Sequence, residues 1–221
     1  MLFAAGFGTR MAPLTDNRPK PLIEVSGKVM LDHALEIARA AGITRIVVNV
    51  HYLGDQIAAH LEGSGVVISD ERDEILETGG GLRKALPLLG DGPVLTMNTD
   101  AIWQGPNVIS QLLAAWEPAR MDALLAVVPP ENTLGHRGAG DFTLDNEGRI
   151  SRGAGYVYTG AQIINPAGIE TISDKAFSLN LLWDRMISGG RAYGSGYRGR
   201  WCDVGRPESI ALAENMLRGA V

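Results

Sequence analysis

The sequence predicts an α/β protein, a three-layer sandwich on a mixed, mainly parallel β-sheet. Three observations carry that expectation. Apolar runs of strand length alternate with segments of helical period along most of the 221 residues. A glycine-rich turn follows the first of those runs. The composition, 45% hydrophobic and 20% charged, suits a globular chain long enough to bury a substantial core.

Met1-Leu2-Phe3 reads as a short apolar strand, after which the chain turns on Gly6 and Gly8. Residues 28–41 place Leu31, Ala34, Leu35 and Ala38 at helical spacing and stop at Gly42. Residues 45–50 are a buried strand, 55–61 a short helix and 66–68 a third strand. After Glu77-Thr78-Gly79-Gly80-Gly81, residues 82–89 are helical and Gly90-Asp91-Gly92 turns the chain. A strand over 94–98 stops just short of Asp100, and a helix over 107–116 leads to a strand over 123–128.

The second half is less regular. Residues 141–144 and 149–150 flank Asp145-Asn146-Glu147-Gly148 as a hairpin. A strand over 156–164, a helix over 179–188 and a returning strand over 192–198 follow. Pro207 opens a closing helix with Ile210, Leu212, Ala213 and Leu217 as its apolar positions. No repeat, low-complexity tract or linker interrupts the chain, so a single domain over 1–221 is expected.

Composition also excludes function classes. A net charge of −5 argues against general nucleic-acid binding, which uses a basic face. The single cysteine, Cys202, rules out an internal disulfide and suits a reducing cytoplasm. No signal peptide or membrane-length apolar run is visible. The four histidines show no metal-ligand spacing, and His136 beside Arg137 reads as a solvated loop histidine. Trp103, Trp116 and Trp183 read as packing residues.

The chemistry gathers in residues 4–22. Glycines at 6 and 8 let the backbone take positive φ and bring its N–H groups close to a ligand. Arg10 and Lys20 add positive charge on either side of Pro13-Leu14-Thr15. A glycine turn after a strand, flanked by cations, suits a polyphosphate. The third glycine of the dinucleotide fingerprint is missing, and no Gly-Lys-Ser/Thr follows for a Walker-type loop. By itself a Gly-x-Gly is also an ordinary tight turn. The whole stretch is more specific. Ala4-Ala5-Gly6-Phe7-Gly8-Thr9-Arg10-Met11, then Pro13-Leu14-Thr15, then Pro19-Lys20-Pro21-Leu22 resembles the signature of the sugar-1-phosphate nucleotidyltransferases.

That resemblance spans nearly the whole chain and implies a Rossmann-like fold, the nucleotide-diphospho-sugar transferase fold. It implies a nucleotide-binding half over about 1–128 and a sugar-binding lobe over about 129–221. Relatives usually carry a few more residues before the first strand, so a short, weak first strand is expected. The implied reaction takes a nucleoside triphosphate and a sugar 1-phosphate, needs Mg²⁺, and uses Arg10 and Lys20 as catalytic cations. Ala4, Ala5, Gly6, Gly8 and Thr9 are the implied nucleotide contacts, joined by Glu77, Gly79 and Gly80. Three glycines at a helix entry cost conformational entropy, which points to something flat or anionic lying against that backbone.

Asp100 follows the carboxyl end of a strand, where ligands bind in open α/β sheets, although an isolated aspartate there is usually a cap or turn residue. In the family an aspartate at this point holds magnesium; here Thr99 stands where glycine is common. Trp201-Cys202-Asp203-Val204-Gly205-Arg206-Pro207-Glu208 resembles the family's Trp-x-Asp-Ile-Gly-Thr-Pro-Glu, whose aspartate completes the metal site. Asp203 also reads as a helix cap before Pro207. A hard divalent cation draws oxygen ligands from more than one element, which favours the ligand role.

Leu76-Glu77-Thr78-Gly79-Gly80-Gly81, Gly54 and Ala85-Leu86-Pro87-Leu88-Leu89-Gly90-Asp91 most resemble the uridylyltransferases for N-acetylmuramate α-1-phosphate, enzymes of cell-wall recycling. On that resemblance Gly140-Asp141-Phe142 and Thr159-Gly160 are sugar-side candidates, though both are also hairpin chemistry. Many relatives use a lysine against the sugar phosphate, but no lysine lies between Lys84 and Lys175, so Arg149 or Arg152 is expected in its place. Arg137, Arg149 and Arg152 are the cations available for a lactyl carboxylate. Two rivals stay open: a mannose- or heptose-1-phosphate guanylyltransferase, and a catalytically silent nucleotide-sensing regulatory subunit. A cytoplasmic monomer or small homo-oligomer is expected.

Overall fold

The chain alternates strands with helices from its first residues. The computed structural model describes residues 1–219. Strands β1 (Leu2–Phe3), β4 (Val47–Val50), β5 (Val67–Asp70), β6 (Val94–Asn98), β8 (Ala123–Val128), β12 (Val157–Ile164) and β13 (Ala192–Gly196) form one sheet in the order β13-β8-β12-β6-β1-β4-β5. All neighbours in it are parallel except β12, which runs antiparallel between β6 and β8. The sheet is therefore mixed and mainly parallel, as the alternation predicts.

Its inner strands are mostly apolar because helices cover both faces, β8 (Ala123–Val128) wholly so and fully buried, while the edge strand β5 is partly exposed. On one face α1 (Met30–Ala40) and α4 (Val108–Ala115) bury Leu31, Leu35, Ile109 and Leu112. On the other, α3 (Glu77–Leu89) and α5 (Asn180–Ser188) bury Leu82, Ala85, Leu182 and Trp183. A helix α2 (Gly54–His60) links β4 to β5. Asn107 caps α4, its side chain accepting the Ser110 amide at 3.0 Å.

Four expectations change. The helix over 28–41 begins only at Met30, because β3 (Lys28–Val29) folds back on β2 (Glu24–Val25) around Ser26-Gly27. The strand over 192–198 ends at Gly196. The Trp201 segment is itself a strand, β14 (Arg200–Asp203), flanked by β7 (Ala101–Gln104) and β9 (Thr133–Leu134) in a three-stranded sheet. This sheet and α6 (Pro207–Leu217) enclose a third apolar cluster around Met11, Ile102, Cys202 and Val204. The hairpin forms as expected, β10 (Phe142–Leu144) against β11 (Ile150–Arg152).

The fourth change concerns the triple glycine. α3 starts at Glu77, so Gly79, Gly80 and Gly81 lie inside its first turns. What lies against them is the chain itself. A Cβ on Gly79 would sit 2.3 Å from the Phe177 ring, one on Gly80 2.4 Å from the Lys175 carbonyl oxygen, and one on Gly81 2.8 Å from Glu71 Oε1. The Gly79 and Gly80 amides both donate to the Phe177 carbonyl, at 2.8 and 3.2 Å. Close packing thus gives these glycines a structural reason. Gly80→Ala is expected to cost about 1–3 kcal/mol, and each kcal/mol to lower the melting temperature by about 2–4 °C. A calorimetric scan checks this; an unchanged melting temperature with a raised KM for the nucleotide would return the glycines to a ligand-contact role.

Candidate active site

At the carboxyl ends of β1, β4 and β6 a cleft of about 220 Å³ opens. Its lining includes Ala4–Gly6, Lys20, Glu77, Thr78 and Asp100, which the sequence places far apart.

The glycine turn forms one wall. Gly8 takes φ 66°, and a Cβ there would meet Lys20 Cβ at 2.9 Å, so glycine is required on both counts. Thr15 Oγ1 donates to the Gly8 carbonyl at 3.0 Å and braces the turn. Among the described residues, the backbone amides of residues 5–10 donate to no protein group. Six unspent N–H groups on one turn form a ready receptor for phosphate oxygens. The Ala4 amide is different, because Asn49 Oδ1 accepts it at 2.8 Å.

Asn49 and Glu71 were not singled out in the sequence, and both are almost wholly buried beneath the cleft. Asn49 Nδ2 donates to Glu71 Oε1 at 2.9 Å, which fixes the amide so that its oxygen faces Ala4. Burial pushes the Glu71 carboxyl above its ordinary value, opposed by hydrogen bonds from Asn49 and the Leu76 amide. Opposite, Glu77 holds φ 58°, a left-handed conformation that costs a non-glycine residue about 1 kcal/mol or more. It stands on the cleft edge beside Thr78.

The charges meet at the other end. Lys20 Nζ lies 2.7 Å from Asp100 Oδ2, with the lysine side chain only 12% exposed. Asp100 and Asp203 are brought together by β7 and β14: Asp203 pairs with Ala101, and the Val204 amide donates to the Asp100 carbonyl at 2.9 Å. Burial raises the Asp203 carboxyl above the usual range, and the Asp100 charge raises it further. Lys20, Arg10 and His136 pull the other way. A Cβ on Gly205 would lie 3.0 Å from Asp203 Oδ2 and 3.3 Å from Arg10 Nη2, which locates Arg10 beside the second carboxylate. Thr99 is buried, its hydroxyl donating to the Phe3 carbonyl at 2.8 Å.

A protein cage for a metal is absent: no group of three or more His, Cys, Asp or Glu stands together among the described residues. Two neighbouring carboxylates, one in the turn before β7 and one at the end of β14, are nonetheless a donor set magnesium accepts, since that ion keeps several waters and takes the rest of its oxygens from substrate phosphates. The mutual repulsion of Asp100 and Asp203 is what a bound cation relieves.

The sugar-side candidates lie apart from this cluster. Thr159 Oγ1 donates to the Ala126 carbonyl, and the Trp201 indole N–H donates to the Thr159 carbonyl. Gly160, at φ 86°, leaves room for the Asn98 side chain, which a Cβ would meet at 2.8 Å. Gly140 abuts the Gly155 carbonyl, and Asp141 Oδ2 accepts the Tyr158 amide at 2.8 Å. Arg152 is turned to α5, where it donates to Asp184 and Asn180 at 2.8 Å.

Residues 1–139 match the model of the MobA-like NTP transferase domain. The N-acetylmuramate α-1-phosphate uridylyltransferase of Caulobacter vibrioides is 43% identical, with 100% of this chain and 97% of the relative covered. The chain belongs to the sugar-1-phosphate nucleotidyltransferase family. The enzyme of the same name from Neisseria meningitidis serogroup B is 36% identical, covering 93% of this chain and 92% of its own length. A mannose-1-phosphate guanyltransferase of Neurospora crassa is 29% identical over 95% of this chain but only 61% of its own. Among solved structures, HddC from Yersinia pseudotuberculosis complexed with GMP-PN superposes with a TM-score of 0.79 at 21% identity, covering 98% of this chain and 97% of HddC. A putative glucose-1-phosphate thymidylyltransferase from Bacillus anthracis gives 0.81 at 18% identity, over 98% and 94% of the two chains. These last two establish the fold alone. No helix of this nucleotidyltransferase is long and apolar enough among the described residues to cross a membrane.

Removing Lys20 leaves Asp100 unpaired and takes a cation from the phosphate path. Lys20→Ala is expected to lose about 2–4 kcal/mol of transition-state stabilisation, read as the fall in kcat/KM. The fold should persist, because the lysine belongs to none of the three apolar clusters. A collapsed melting temperature with no nucleotide binding would make the residue structural.

Proposed function

We propose that this enzyme transfers the uridylyl group of UTP to N-acetylmuramate α-1-phosphate, releasing pyrophosphate and forming the UDP-sugar of cell-wall recycling. The observation that carries the substrate is the full-length identity with a uridylyltransferase of that specificity. The site supports the reaction class independently, because the cleft brings the unspent amides of Ala5 and Gly6 together with the Lys20–Asp100 pair, and β14 sets Asp203 next to that pair.

The chain works as one domain, with the nucleotide held by residues 1–128 and the sugar phosphate approaching from residues 129–221. A sugar phosphate has a second pKa of about 6 and arrives as a nucleophile without a general base. One of its oxygens attacks the α-phosphorus, the bond to the β-phosphate oxygen breaks, and pyrophosphate carries the electron pair away. The amides of residues 5–10, with Arg10 and Lys20, neutralise the triphosphate and fix it for in-line displacement. Asp100 and Asp203 would hold Mg²⁺, which when bound supplies charge neutralisation shared between the phosphates. Glu77 and Thr78 at the cleft edge are placed to meet the base. Gly79 and Gly80 act behind them, by setting the helix against residues 175–177. The enzyme is cytoplasmic, a monomer or small homo-oligomer.

The guanylyl reading rests on the fungal relative, lower in identity and reaching beyond this chain. A pyrophosphate-release screen of sugar 1-phosphates against each nucleoside triphosphate separates the two. UTP with N-acetylmuramate α-1-phosphate should give the highest kcat/KM; a preference for GTP, or no release with any pair, refutes the substrate assignment.

Metal dependence has its own check. Activity should vanish with chelator and return with Mg²⁺, and Asp203→Asn should lower turnover roughly 10²-fold or more. Full turnover in chelated buffer would remove the carboxylate pair from its assigned role.

A further inference from the structure

We infer that His136 is a substrate-binding residue, donating an imidazole N–H to the phosphate of the sugar substrate on the wall opposite the glycine turn. This rests on the reaction assigned above and names a contact which that assignment leaves open.

The placement comes from strand pairing. β9 runs parallel to β14 with Leu134 opposite Cys202, so the residues after Leu134 travel alongside Asp203 and Val204. Gly135, at φ 73°, presses so close that a Cβ would lie 2.2 Å from the Asp203 carbonyl oxygen and 3.0 Å from Ser209 Oγ. Only glycine permits that approach, and it sets the next residue, His136, beside Asp203. The Asp203 carboxyl feels His136 as well as Lys20 and Arg10, all three drawing it down against burial. His136 thus stands next to the strand end that carries Asp203, on the segment leading to Gly140 and Asp141.

The ring is held but not used. Its Nε2 is buried without a hydrogen-bond partner, tucked under Gly138, where a Cβ would lie 2.6 Å away. No protein group among the described residues accepts from either ring nitrogen. A half-buried imidazole beside a reaction centre with no partner is a donor awaiting an acceptor.

The other cations suggested for this lobe are spent elsewhere. Arg137 donates to Glu208 at 2.9 Å, Arg149 pairs with Glu147 at 2.6 Å and Arg152 with Asp184 at 2.8 Å. A phosphate dianion approaching two aspartates needs a donor on its far side. An imidazole offers an N–H donor for such a contact.

Steady-state kinetics of the full chain with UTP and N-acetylmuramate α-1-phosphate test this. His136→Leu should raise the KM for the sugar phosphate on the order of tenfold while leaving that for UTP within about twofold, the loss of one hydrogen bond to a charged group. His136→Asn, which keeps an N–H near Nδ1, or His136→Gln, which keeps one near Nε2, should recover most of the loss and identify the nitrogen. If the leucine variant does not fold, wild-type protein carries the test: saturating sugar phosphate, but not UTP alone, should protect His136 from diethylpyrocarbonate. An unchanged sugar-phosphate KM, equal effects on both substrates, or modification indifferent to sugar phosphate would overturn the inference and leave the reaction standing. A wild-type chain that binds UTP yet uses no sugar phosphate would overturn both.

Discussion

The contact on which the site depends is the ion pair between Lys20 and Asp100. It joins the end of the glycine-turn segment to the exit of β6, which neighbours the short β1 that precedes the turn. Lys20 also backs Gly8, whose missing Cβ lets the lysine stem pass. One side chain thus sets the height of the turn, neutralises one carboxylate and presents charge to the cleft. With Asp203 raised by burial and by the neighbouring charge, the lysine also keeps two adjacent carboxylates tolerable.

The two sides of the site reach order by different means. The turn wall keeps its amides unspent, and its shape comes from outside: Asn49 grips Ala4, and Thr15 grips Gly8. Beyond Asp100 the small sheet β7-β14-β9 holds Asp203 in place by strand pairing. Preorganised donors and fixed carboxylates let charge be stabilised without reorganisation during the reaction. The strain at Glu77 belongs to the same economy, a sparsely populated backbone conformation sustained where a ligand edge is expected.

Much of this was legible in the sequence because it is local. The turn, its cations and the strand before Asp100 each declare themselves within a few residues. The alternation of elements is a periodicity, and the sheet follows it. What escaped depends on partners distant in sequence. The triple glycine reads as a ligand surface until Lys175 and Phe177, about a hundred residues later, are seen against it. Asp203 is visible as a motif, but its strand has only four residues and gains its identity from β7 and β9. Arg152 is positive in any reading, yet only the fold shows that α5 carries its acceptors. Asn49 sits in an apolar strand run, where a buried amide gives no signal until its two partners appear. His136 resembles any loop histidine until the pairing of β9 carries it to Asp203.

The packing of residues 175–179 against α3 also bears on how the molecule breathes. The Phe177 carbonyl takes two helix amides, the Leu76 carbonyl accepts the Phe177 amide, and Thr78 Oγ1 accepts the Leu179 amide. Arg83 adds hydrogen bonds to the carbonyls of Ile172 and Asp174, and stacks over Phe177 at 4.8 Å. The Glu77–Thr78 edge of the cleft and the start of α5 are thereby riveted into one body. Glu77 and Thr78 therefore cannot shift without carrying the start of α5 with them, and across the molecule Gly135 and Gly140 are pressed as closely against the Asp203 and Gly155 carbonyl oxygens.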